Sequence, residues 1–185
     1  MREIEHVARF VHDCRWDALP SSVQERIKMA LLDDLGATLA GTLTRVSRIT
    51  AAYAVDAWPG DEATILLHDQ RASATGAAFA NGYAANGLDI DGCALYTKGH
   101  PGAQVFPTAL ALSESLGIDG KGMLAAMVVG YEIAHRTARC WHDHHEVYQA
   151  CASWGSVACA AVAAHLLQLP GPQIEQALGI AEYYA

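Results

Sequence analysis

Gly155 to Leu169 reads GSVACAAVAAHLLQL, an apolar run dominated by alanine, inside a helix expected from Tyr148 to Leu169. Small side chains at this density let helices approach almost backbone to backbone. The run therefore predicts a compact all-α bundle of mostly buried, alanine-rich helices. Working outward, the same character appears in Ser73 to Asn86, Pro101 to Leu116 and Gly122 to Arg139, and Pro172 opens a last helix that runs to the chain end. Toward the amino terminus, Ile4, Val7, Ala8 and Val11 recur at helical spacing. Pro20-Ser21-Ser22 starts a long second helix whose apolar face is Val23, Ile27, Ala30, Leu31 and Leu35. Gly36 and Gly41 interrupt it, at about 1 kcal/mol each against alanine, which predicts close packing by another helix. A third helix runs from Ser47 to Trp58 and stops at Pro59-Gly60. Only Ala63 to His68 (ATILLH) reads as a strand, followed by the polar turn Asp69-Gln70-Arg71. The expectation is thus all-α with at most one short β-hairpin.

The chain has 185 residues, 52% hydrophobic and 17% charged. That suffices for one domain with a substantial core, or for one layer of something larger. A formal net charge of −8 with no basic run argues against nucleic acid as a partner. No stretch is apolar for the roughly 18 residues of a membrane span. The opening MREIEHVARFVHDC places acids and histidines where a signal peptide has a basic and then an apolar region. Cys14, Cys93, Cys140, Cys151 and Cys159 are odd in number and lack CxxC spacing, so they read as reduced thiols of a cytoplasmic protein. The sequence ends on Tyr183-Tyr184-Ala185 without a polar tail. Either it is part of a longer architecture, or its last helix docks on the core.

Chemistry concentrates in Asn81 to Pro101, NGYAANGLDIDGCALYTKGHP. Asp89 and Asp91 stand two apart, so in an extended loop both carboxylates face one cavity. Paired carboxylates of this kind are one way proteins keep an acid and a base in the same site. His100 offers an imidazole, which can give or take a proton. Lys98, with His100 when protonated, can pair with an anionic substrate. The plainer alternative is an ordinary loop, with Asp91-Gly92 as a turn and Lys98-Gly99 facing solvent. His100-Pro101-Gly102 also opens a helix, whose unpaired first-turn amides suit a carboxylate, although Pro101 is in any case a good first helical residue.

Two other clusters read more simply. Trp141-His142-Asp143-His144-His145-Glu146 offers metal-ligating side chains, but no second ligand group has a familiar spacing, so it reads as a solvated loop between helices. Glu132 and Arg136, four apart, read as an ion pair on a helix face. Cys93 and Cys151 lack a nearby histidine of assured geometry and read as inert thiols.

The segments LLDDLGATLAGT (Leu31 to Thr42), AAFANGYAANGLDIDG (Ala77 to Gly92), HPGAQVFPTALALSESLG (His100 to Gly117), VVGYEIAHR (Val128 to Arg136), and GSVACAAVAAHLLQL with the following PGPQIEQALGIA together resemble the MmgE/PrpD family. That family includes 2-methylcitrate dehydratase, cis-aconitate decarboxylase and iminodisuccinate epimerase. The resemblance covers nearly the whole chain and implies that residues 1–185 are the N-terminal part of a helical domain, without the family's α+β lid. It implies a metal-free, cofactor-free, homodimeric enzyme that removes a proton next to a carboxylate of a small di- or tricarboxylate, as a lyase or isomerase. On matching positions the resemblance implies Asp89, as general base or its orienter, and His100, as proton donor or carboxylate partner, as the catalytic residues, with Asp91 as companion acid. Cys93, Lys98 and Gln149 are taken with Asp91 as substrate contacts. Cys93 stands where many members carry threonine, with one extra residue before His100, and Gln149 stands where a catalytic histidine is usual. Glutamine holds a substrate oxygen but exchanges no proton near pH 7. Members are also well over twice this length. The alternative is a truncated, non-catalytic homologue, or a subunit completed by a second chain.

Overall fold

The computed structural model describes the backbone of residues 3–146 and 150–185, and the side chains among them except those of 150–152. It contains α1 (Glu3–Asp13), α2 (Ser21–Gly41), α3 (Arg45–Ala57), β1 (Ala63–Ile65), β2 (Gln70–Ala72), α4 (Ala74–Asn86), α5 (Gly102–Leu116), α6 (Gly120–His144), α7 (Ala150–Leu166) and α8 (Gly171–Tyr183). Among the described residues the only sheet is the antiparallel β1–β2 hairpin, so the fold is all-α as its alanine content predicts. No described helix is long and apolar enough to cross a membrane.

Local chemistry sets several boundaries. Thr44, Ser73 and Asp119 each accept a hydrogen bond from the amide three residues on, capping α3, α4 and α6. Gly117, at φ 66°, ends α5 in the left-handed conformation. The hairpin is shorter than ATILLH suggested. Leu67 and Asp69 have φ of 57° and 51°, so the chain turns there, and Gln70-Arg71 belong to the returning strand rather than to the turn. Asn81, buried in α4, accepts from the Leu66 amide at 2.9 Å and donates to the Thr64 carbonyl at 3.0 Å, which fastens the hairpin to the bundle.

Three apolar clusters form the core. Phe106, Met127, Trp154 and Val162 join α5, α6 and α7. Val11, Val129, Ile174 and Leu178 hold α1 and α8 against α6 and α7. Ala51, Ile65, Ala77 and Ala111 pack α3 and the hairpin on α4 and α5. The last is almost all alanine. A Cβ on Gly41 would lie 1.7 Å from the carbonyl oxygen of Ala84, so α2 crosses α4 on a glycine, as expected. Gly36 corrects that expectation for its own position. A Cβ there meets nothing within 4 Å, because this part of α2 faces open space.

Candidate active site

The carboxyl end of α4, the amino end of α5 and the connection between them enclose a cleft of about 920 Å³. One wall is apolar and aromatic, with Phe79 and Tyr83 of α4 in contact at a ring separation of 4.9 Å. Asp89, Cys93, Lys98, His100, Gln104, Thr108 and Cys159 also line the cleft. Four of the six residues singled out from sequence therefore share one cavity. Asp91 stands behind His100, and Gln149 lies outside the described residues. The side chain of Cys151 is likewise outside them.

The loop is not simply extended. Asp89 and Lys98 adopt φ of 57° and 50°, left-handed positions that non-glycine residues hold only when their surroundings enforce them. The two aspartates consequently address opposite edges of one imidazole. His100 Nδ1 lies 3.2 Å from Asp91 Oδ1 and 3.1 Å from the Asp91 carbonyl, while Nε2 lies 3.5 Å from Asp89 Oδ1. Asp91 is shut away from solvent and accepts from Asn86 Nδ2 at 3.1 Å, whereas the Asp89 side chain is 84% exposed. A buried carboxylate on Nδ1 fixes ring orientation and directs a proton to that nitrogen, which leaves Nε2 as the working edge beside Asp89. Asp89, Asp91 and His100 are also the one set among the described residues whose donor atoms could hold a metal ion, all lying within 4.8 Å of one another.

The His-rich run plays a different part from the solvated loop expected of it. Trp141 to His144 form the last turn of α6, and His142 Nε2 donates to the Thr97 carbonyl at 2.9 Å. With Tyr96 and His135 Nδ1 at 3.2 Å, it ties the tip of the loop between α4 and α5 to α6. Glu132 and Arg136 form the expected ion pair, with Arg136 Nε donating at 2.7 Å.

Sequence reasoning missed a buried pair behind the loop. Tyr131 donates from its hydroxyl to Asp34 Oδ2 at 2.7 Å, and Asp34 is 1% exposed. The signal was present, since Asp34 falls on the same helical face as Ile27, Leu31 and Thr38. Burial pushes the Asp34 carboxyl up to about 6 against the Tyr131 hydrogen bond, and the nearby charges of Asp33 and Asp91 add to the rise. Tyr131 is raised by burial and by the Asp34 charge. Between pH about 4 and 6 the folded chain keeps an Asp34 proton that the unfolded chain has released. Folding stability from this group thus falls as pH rises through that window. Buried His165, whose pKa is lowered by burial, acts with the opposite sign on the acid side. The comparison that isolates Asp34 is therefore a difference. Asp34→Asn should gain stability relative to the parent on going from pH 4 to pH 7, read by denaturant unfolding at each pH. A constant difference between the two proteins would count against this titration.

Comparison with known proteins places the chain as a whole. The model of the MmgE/PrpD N-terminal domain matches residues 5–185. Human cis-aconitate decarboxylase is 31% identical over 189 residues, covering 98% of this chain and 39% of its own length. The mouse protein of that name is 29% identical with 98% and 38% covered, and the one from Aspergillus terreus 25% with 91% and 37%. The chain thus spans about two fifths of the length of the curated relatives it matches.

Proposed function

The chain belongs to the MmgE/PrpD family, and from that premise we propose that its cleft carries the proton-transfer half of a lyase or isomerase acting on a small di- or tricarboxylate. The observation that supports this most is His100 held between a buried carboxylate on one nitrogen and an exposed one on the other. Asp89 and the Nε2 edge of His100 then act as a base–acid pair at a carbon next to a substrate carboxylate. Lys98 supplies positive charge in the same cleft for that carboxylate. Phe79 and Tyr83 provide an apolar face for the carbon skeleton. Gln149 is assigned to a substrate oxygen and Cys93 to a contact near Asp89. The carboxylate on the substrate delocalises the charge left when the proton departs. Dehydration then follows if hydroxide leaves, and epimerisation if the proton returns on the other face. In decarboxylation, by contrast, carbon dioxide leaves its bonding electrons on carbon and the same pair delivers a proton to the carbon skeleton. The names of the relatives, cis-aconitate decarboxylases, favour the lyase form. The groups named require no cofactor for this step, and we assign the assembly as a homodimer.

The test is proton exchange. The protein is incubated in heavy water with citrate-like, aconitate-like and aspartate-derived acids, and the protons next to each carboxylate are followed by NMR. Deuterium entry or conversion of one class supports the reading and names the substrate. A folded, dimeric protein that exchanges none of the panel would refute it.

A further inference from the structure

Gly92 and Gly102 are the two ends of the candidate-site loop; Gly102 is packed tightly on the Asp34 carboxyl, and Gly92 lies beside Asp33 with Asp34 next to it. A Cβ on Gly102 would lie 2.0 Å from Asp34 Oδ1 and 2.9 Å from the Tyr131 hydroxyl. One on Gly92 would lie 3.8 Å from Asp34 Oδ1 and 3.3 Å from Asp33 Oδ2. Between these ends the loop closes on itself through the Ala94 amide and Gly99 carbonyl at 3.3 Å, and its tip is fastened to α6 by His142 and Tyr96. Asp34 Oδ1 is buried and has no hydrogen-bond partner among the described residues. A core position serving stability alone would favour an apolar side chain there, because a buried carboxyl with an unpaired oxygen is costly. Three groups face this carboxyl: Asp33 from its own helix, Asp91 from the loop and Tyr131 from α6.

We propose that Asp34 is a positioning residue for His100: its carboxyl, joined to the Tyr131 hydroxyl, is the seat that holds both ends of the 92–102 loop and so fixes where the imidazole stands in the cleft. Asp34 touches no reacting atom in this scheme. It acts through Gly102, two residues beyond His100, and through Gly92, next to the Asp91 that orients the ring. The kinetic part of the proposal rests on the reading of His100 as a proton-transfer group, whereas the structural part does not.

The test uses the intact protein with Asp34→Ala, Asp34→Asn, Tyr131→Phe and Gly102→Ala, and with Asp34→Ala combined with Gly102→Ala. Amide hydrogen exchange of residues 92–101 is compared with that of α8, and kcat and KM are measured on whichever acid the protein turns over. Asp34→Ala should speed exchange in 92–101 by about tenfold or more while α8 stays protected. It should lower kcat by on the order of 10²-fold with KM within about twofold. Asp34→Asn keeps the shape and still accepts from Tyr131, so it should restore most of both. Tyr131→Phe should loosen the loop less than Asp34→Ala. Gly102→Ala should reproduce the defect, and the double variant should lose less than the sum, because removing the carboxyl clears space for the new methyl. Unchanged exchange in 92–101 in a folded Asp34→Ala protein would overturn the proposal. So would loss of protection spread evenly over α8 and the loop without rescue by asparagine. Should the protein turn over no acid at all, the exchange comparison still decides, so failure of the reaction reading and failure of the seat are told apart.

Discussion

Replacing His100 with glutamine should lower turnover by on the order of 10²- to 10⁴-fold, the usual contribution of a positioned acid–base group. Glutamine can still donate toward the buried carboxyl of Asp91 and fills a similar volume, but it has no ionisable group to act as acid or base near neutral pH. Asp89→Asn should give a loss of the same order by a different route. Its side chain is 84% exposed, so the change removes the carboxylate beside Nε2 at little cost in stability. Asp91→Asn is expected to behave otherwise. Asp91 is buried, meets His100 at 3.2 Å and accepts from Asn86, so its loss disturbs ring orientation and local packing together. The measurements are single-turnover rates and deuterium exchange, with circular dichroism as the check on folding. Parental rates in both His100→Gln and Asp89→Asn would remove these residues from the chemistry.

The fold was legible because alanine content and helical spacing carry it. Ser73 and Asp119 cap the helices they precede, and Pro101 stands where α5 begins. The grouping of the candidate site was legible too, since Asp89, Lys98 and His100 lie on one short loop and line one cleft. What the spacing of two residues did not disclose was the conformation of Asp89. An aspartate in the left-handed region turns its carboxylate to the far edge of His100, and alternation along an extended chain does not predict that. The role of His142 was hidden for another reason. It is 45 residues from Thr97, and a histidine donating to a backbone carbonyl has no signature in sequence. Asp34 and Tyr131 are 97 residues apart and meet only because α2 and α6 both pack beside the loop. In each case the missing information was tertiary.

The largest expected effect on stability comes from a methyl group. Gly41→Ala places a Cβ 1.7 Å from the Ala84 carbonyl oxygen and 2.8 Å from its carbon. These are backbone atoms of a helix, so no flexible side chain can swing aside, and α2 and α4 must separate. Alanine gains about 1 kcal/mol in helix propensity over glycine, but overpacking of this kind costs about 1–3 kcal/mol and sometimes more. Here the steric side wins, because the displaced contact is backbone against backbone and involves a whole helix. The expected net loss is about 3 kcal/mol, a fall in Tm of roughly 6–12 °C for a chain of this size. Gly36→Ala in the same helix should do the opposite. Its Cβ meets nothing within 4 Å, so only propensity remains and the expected gain is roughly 0.5–1 kcal/mol. Thermal unfolding of the two variants side by side checks the argument, and equal shifts in the same direction would sink it. The consequence reaches the cleft as well, since α4 ends at Asn86, whose side chain holds Asp91. A helix pushed off Gly41 carries that support with it, so Gly41→Ala should lose turnover as well as stability, and Gly36→Ala should keep both.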